Sequence, residues 1–174
     1  MRGPLVFGCL LLILALEAGA QKLGTTPGYT EYEIKAAFTL HLMSFISWPN
    51  SEQPNSLCVV DENGVYGALE VLLNARKAKD IALKRLLNTQ DVEPCDLLFL
   101  GKDVELPALN HAQPLLTVGE RTGFAEAGGM VELSRRAGRV ELIINESELQ
   151  HAGFSASSRL MSLATIVTPG VVRP

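Results

Sequence analysis

Three short apolar runs set the strongest limit on what this chain can fold into. They are "SLCVVD" (56–61), "CDLLFLG" (95–101) and "PLLTVG" (114–119). Runs this short and this continuous predict strands covered on both faces. Between the first two stands "VYGALEVLLNARKA" (65–78), a helix by the spacing of Leu69, Leu72 and Leu73. "IALKRLL" (81–87) fits helix or strand and is read as a short strand. "VELPALNHA" (104–112) reads as a short or broken helix, and "TGFAEAGG" (122–129) as a turn or short helix. In "MVELSRRAGRVELIIN" (130–145), Val131 and Leu133 alternate around Glu132, and Val140, Leu142 and Ile144 around Glu141. With Gly138 at the turn, this predicts an antiparallel hairpin. "ESELQHAGFSASSRLMSLATIV" predicts two helices. Ser147 caps the first and Gly153 ends it; Ser155 opens the second, with a stripe of Leu160, Leu163, Ala164 and Val167. The expected fold is α/β: a mainly parallel sheet covered by helices on both faces, with a late antiparallel hairpin at one edge.

One helix precedes the first strand. Thr30 and Glu33 have capping-box spacing, and Pro49 stops helical geometry at Trp48, so a helix is expected over about 31–48. Its wheel places Ile34, Ala37, Phe38, His41, Leu42, Phe45 and Trp48 on one broad apolar face. Ala36, Leu40 and Met43 form a second apolar patch behind it. A helix apolar on two sides is buried on both or covered by another subunit, so Leu40 and Met43 are candidates for a dimer face.

The N-terminus differs in kind. "MRGPLVFGCLLLILALEAGA" has Arg2, an apolar run from Leu5 to Leu16, and small residues at Ala18 and Ala20. This is the pattern of a secretory signal peptide cleaved before Gln21; an uncleaved anchor is the alternative. The expected organisation is a signal peptide (1–20), a flexible segment (21–28), one domain (29–168) and a short tail (169–174). Export leaves Cys58 and Cys95 as the mature protein's cysteines, in an oxidising compartment that favours a disulfide. A redox switch or two free thiols are the other readings.

Composition and motifs exclude several functions. A net charge of −4 and a pI near 5.4 argue against nucleic acid. The basic cluster Arg135, Arg136 and Arg139 reads as a solvated turn. No nucleophile elbow, phosphate loop or dinucleotide fingerprint is present. "DENGVYG" would repel phosphate and lacks a calcium-loop oxygen pattern. Isolated cysteines and scattered His41, His111 and His151 do not make a zinc set. His41 reads as a core histidine. Asn145-Glu146-Ser147 matches a glycosylation sequon, which a helix cap explains equally well. No catalytic residue, metal or cofactor is expected.

Several stretches together resemble one family, the YfiR family of periplasmic proteins. They are "EYEIKAAFTLHLMSFISWP", "LCVV", "CDLLFLG", "LLTVGERTGFAEAGGMVEL" and "GRVELIINESELQHAGFSASSRLMSLA", in the expected order over residues 29–164. The resemblance implies an exported, dimeric, non-enzymatic protein. It implies repression of an inner-membrane diguanylate cyclase through its periplasmic sensor domain, which lowers cyclic-di-GMP and biofilm formation. An outer-membrane lipoprotein that sequesters the repressor is a further implied partner. By the same resemblance Cys58 and Cys95 match a disulfide. A second disulfide of some members, near the late hairpin, has no counterpart here, which favours a structural bridge over a redox sensor. "SASSRLM" departs from the family's usual Ile-Ser-Ser-Lys-Leu-Leu. Leu149, Phe154, Leu160 and Met161 are candidates for partner binding, with core packing as the alternative. A periplasmic binding module serving a histidine kinase or a transporter is the competing function. An enzyme would require a pocket joining His41 to a carboxylate.

Overall fold

The computed structural model describes residues 28–49, 54–61, 64–90, 92, 95–108 and 114–167. The expected signal peptide, most of the segment after it, His111 and the C-terminal tail lie outside the described residues. The chain order is α1 (Glu31–Phe45), β1 (Ile46–Ser47), β2 (Ser56–Val60), α2 (Val65–Arg76), β3 (Ala82–Arg85), β4 (Leu97–Leu100) and β5 (Leu116–Gly119). It continues with β6 (Val131–Arg136), β7 (Arg139–Asn145), α3 (Glu146–His151), β8 (Ser155–Ala156), α4 (Ser158–Met161) and β9 (Thr165–Val167).

Seven strands form one sheet in the order β3-β2-β4-β5-β6-β7-β9. Strands β3, β2, β4, β5 and β6 are parallel, β7 runs antiparallel to β6, and β9 is parallel to β7. The mainly parallel α/β fold expected from the apolar runs is the fold observed. The hairpin forms one end of the sheet, with a three-residue strand added outside it.

Alternation along the strands splits the core in two. Leu57, Val59, Leu97, Phe99, Val118, Leu133 and Ile144 face α1, α2 and the late short helices. Cys58, Val60, Leu98 and Leu100 face the other way, toward Phe124, Val104 and Leu106. Among the described residues that second face is covered by the loop 101–108 and the turns at 120–130, not by helices. Gly123 and Gly128 adopt positive φ there, which breaks a helix before it can propagate.

Helix α1 carries the predicted capping box: the Thr30 hydroxyl accepts from the Glu33 amide, and the Glu33 carboxylate accepts from the Thr30 amide. Two expectations about it are corrected. The helix stops at Phe45, because Ile46 and Ser47 are extended and pair with Ala156 and Ser155. Its faces are also exchanged. Leu40 and Met43 are in the core at 4% and 5% exposure, together with Lys35, Ala36, Thr39 and Leu42. Ile34, Ala37, Phe38 and Phe45 are half-buried, and His41 is exposed with its ring against Phe45. Lys35 and Thr39 explain the exchange: polar tips that find partners let the buried face run through them. Leu40 and Met43 are therefore packed within one chain and offer no free surface for a dimer.

The expected second late helix is also different. Ser157, not Ser155, supplies the cap, and the helix is one turn long. Thr165-Ile166-Val167 then pairs with β7, as suits β-branched residues. Asn145, not Ser147, caps α3.

The β6–β7 turn has positive φ at both central residues, Ala137 (47°) and Gly138 (82°). That is the type I′ geometry matched to strand twist. Alanine is strained in this region, whereas asparagine enters it readily. Ala137→Asn is expected to stabilise the protein by about 0.5–1 kcal/mol. The check is a higher urea midpoint at unchanged denaturant slope.

Candidate functional site

The sheet's carboxyl ends gather polar groups that the sequence reading left unused. The chain passes from β2 outward to β3 and then back across to β4, so the strand order reverses beside β2. Such a reversal opens the natural crevice of an α/β sheet. Asp61 follows β2, Gly101 follows β4 and Glu120 follows β5; both carboxylates belong to buried residues. Gly101 is needed for this convergence, since a Cβ there would lie 3.2 Å from the Asp61 Cα and the Val60 carbonyl. Asp61 accepts from the Tyr66 amide at 3.1 Å and faces the Arg85 guanidinium at 3.6 Å.

Lys35 enters this end from α1. Its ammonium donates to Glu120 at 2.5 Å and lies 2.6 Å from Glu31, one turn earlier. Glu120 also accepts from the Lys102 amide at 2.9 Å, and Glu31 reaches Arg135 of β6 at 3.5 Å. One lysine thus ties α1 to the end of β5, and its neighbouring glutamate ties α1 to the hairpin. Burial works against the charge on Lys35, but the two carboxylates outweigh it and raise its pKa above the ordinary 10.5. A lysine held protonated in this way is a structural cation and not a nucleophile.

A second cluster holds the turns at 120–130 on the opposite face. The Phe124 ring lies between Gly119 and Gly129, where added Cβ atoms would come within 2.4 Å and 2.1 Å of it. Glu132 accepts from the Ala125 amide at 3.2 Å, and the Asn145 side chain donates to the Ala125 carbonyl at 2.8 Å. The Met130 amide donates to Thr117 at 3.1 Å. Three strands thus fix one turn through buried polar groups. Asn145 is fully buried and has both amide atoms engaged, which accounts for the Asn-Glu-Ser triplet as a cap.

Cys58 and Cys95 are joined as a disulfide, with Cα atoms 5.9 Å apart. The bridge fastens β2 to the segment entering β4. Its loop spans 37 residues, and breaking it with Cys58→Ala/Cys95→Ala is expected to cost about 2–4 kcal/mol. Thermal unfolding with and without reductant checks this: reductant should lower the wild-type midpoint and leave the double variant's unchanged.

The remaining sequence candidates do not assemble into a site. Leu149, Phe154 and Leu160 are buried, and Met161 packs against the same core. Phe154 stands edge-on to Trp48 at 5.0 Å, so it joins the end of α1 to α3. His41 is on the surface, and His151 sits 3.9 Å from Glu148. The sequence reading missed Lys35, Glu120, Glu132 and the glycine pair around Phe124. The available signal was the density of glycine and glutamate in "VGERTGFAEAGGMVEL".

Comparison with known proteins bears on these same segments. A conserved domain protein of Vibrio cholerae is similar in structure, with a TM-score of 0.51 at 15% identity over 78% of this chain and 59% of its own. The ABC domain of Streptococcus pneumonia, solved in complex with L-Trp, has a TM-score of 0.49 at 10% identity over 76% of this chain and 60% of its own. The chain thus spans about three-fifths of the length of these neighbours, and the likeness concerns the fold alone. Comparison with curated proteins gives no match. The YfiR/HmsC-like family, one of periplasmic, non-catalytic regulators that act with a partner protein, matches residues 32–165. That match includes Lys35, Glu120, Phe124, Glu132 and Asn145, and the chain belongs to the YfiR/HmsC-like family.

Proposed function

We propose that this protein is a periplasmic repressor of an inner-membrane diguanylate cyclase, acting on the cyclase's periplasmic sensor domain. The observation that carries the reading is the family match across residues 32–165. The reading includes a signal peptide over 1–20, a single domain over 29–168 and a homodimer, with an outer-membrane lipoprotein as a second partner. It needs no active site in this chain. Repression follows from tighter binding to the inactive state of the sensor domain, which shifts its equilibrium. Leu149, Phe154, Leu160 and Met161 shape the partner surface from beneath, since most of them are buried.

Deleting the gene should raise cellular cyclic-di-GMP, and the exported protein should co-purify with the sensor domain of a membrane cyclase. Unchanged cyclic-di-GMP in the deletion strain, with no cyclase recovered, would overturn the reading.

A further inference from the structure

The edge of the sheet beside α2 forms a groove. It has a volume of about 350 Å³ and lies between α2 and β3. Its apolar lining includes Leu73 from α2, with Ile81 and Leu83 from the β3 side. Ile81 and Leu83 are only partly covered and point to the same face as α2. Leu87, 94% exposed, lies two residues beyond the end of β3.

The backbone of β3 is oriented for a further strand. The Ala82 amide donates to Asn55 and the Leu86 amide donates to Val59, so even-numbered amides face β2. Alternation then turns the amide and carbonyl of Leu83 outward, and the amide of Arg85 with them. Among the described residues β3 pairs with β2 alone. A helix flanking an exposed strand edge, with side-chain pockets between, is the geometry of peptide binding by strand addition.

Charge selects the occupant. Lys77 and Lys79 line the groove at the end of α2, and Glu70 is the one carboxylate among its lining residues. Arg85 lies beyond the other end, over the Tyr66 ring, with its guanidinium held by Asp61, so the positive charge offered to an occupant is that of Lys77 and Lys79. This is a basic strip on a chain of net charge −4. A second copy of the same chain would set basic strip against basic strip, which disfavours self-pairing.

We propose that the α2–β3 groove binds an extended acidic peptide segment of a partner protein as an added strand next to β3. On the face of the segment turned to the groove, apolar side chains rest on Leu73, Ile81 and Leu83, and carboxylates two residues apart on that same face meet Lys77 and Lys79. The inference goes beyond repression of a cyclase and does not depend on which protein supplies the segment.

The test uses the full mature protein and the acetylated, amidated heptapeptide ETETVTV, whose glutamates and valines share one strand face, with KTKTVTV as the charge-reversed control. Amide hydrogen exchange and NMR shifts are read at Leu83 and Arg85. ETETVTV should slow exchange at both amides, KTKTVTV should not, and Lys77→Glu/Lys79→Glu should weaken ETETVTV binding by at least about tenfold. Lys77 and Lys79 are exposed, so that variant keeps its fold. Leu83→Pro, which deletes the outward amide at a position an edge strand tolerates, should weaken binding without altering the lysines. The proposal is overturned if the lysine variant binds as wild type does or if exchange at both amides is unchanged. It is equally overturned if the two amides become protected with rising protein concentration and no peptide, since a second copy would then be the occupant.

Discussion

Lys35→Ala is expected to destabilise the protein by about 3–5 kcal/mol, the range seen when one partner of a buried ion pair is removed. The reason is what remains. Glu120 keeps its Lys102 amide but loses the Lys35 ammonium while buried, and Glu31 keeps the exposed Arg135. Lys35→Met/Glu120→Gln removes both charges, and the glutamine oxygen can still accept from Lys102. That double variant should recover most of the loss, because a neutral, well-packed replacement avoids the desolvation cost. The pH dependence gives an independent check. The folded pKa of Lys35 is raised, so its contribution is complete below the unfolded value near 10.5 and declines as pH rises through the folded value. The stability gap between wild type and Lys35→Met should therefore hold from neutral pH to about 10 and narrow above it. Urea unfolding across this range measures both effects. A gap that closed already near neutral pH would mean that the Lys35–Glu120 pair is not its source.

Lys35 also shows where the sequence stopped being legible. The strands were readable because continuous apolar runs such as "LLFL" and "LTVG" suit few other structures. The capping box at Thr30 and the hairpin around Gly138 were readable because turn and cap chemistry is local. The face of α1 was not. A wheel groups residues by polarity; it counted His41 into the core-facing stripe and left Lys35 out of both apolar patches. The outcome depended on Glu120, 85 residues away. Glu132 failed for the same reason: strict alternation puts it in solvent, but the turn carrying Ala125 closes over it. The last helix was overread because the strand β9 exists only through its pairing with β7. Local patterns determined the elements, and long-range pairs of polar groups determined which faces were buried. Partner-facing and core residues are hard to separate in sequence, because Leu149, Phe154 and Leu160 satisfy the same apolar criterion as core residues.

Phe124→Ala should cost about 3–5 kcal/mol, the usual penalty for emptying a buried aromatic site. Gly129→Ala should cost about 3 kcal/mol, at the upper end for overpacking. Both follow from one contact. Phe124 is fully buried with its ring over Gly119 and Gly129, so the glycines provide the slot and the ring fills it. An added methyl at Gly129 would begin 2.1 Å from a ring carbon, well inside contact distance, and the ring has strand β5 behind it at Gly119. Relief requires the turn to lift, which would strain the Ala125 bonds to Glu132 and Asn145 and the cap of α3. The two changes should therefore be strongly non-additive. Once Phe124 is alanine the slot is empty, and Gly129→Ala should add less than about 1 kcal/mol. Chemical denaturation of the two single variants and the double variant forms the complete cycle. Additive losses would show that the cost of a methyl at Gly129 comes from contacts other than the Phe124 ring. The coupled result would show why "GERTGFAEAGG" keeps its glycines and its phenylalanine together: the turns at 120–130 are fastened to the second face of the sheet by one ring held between two backbones.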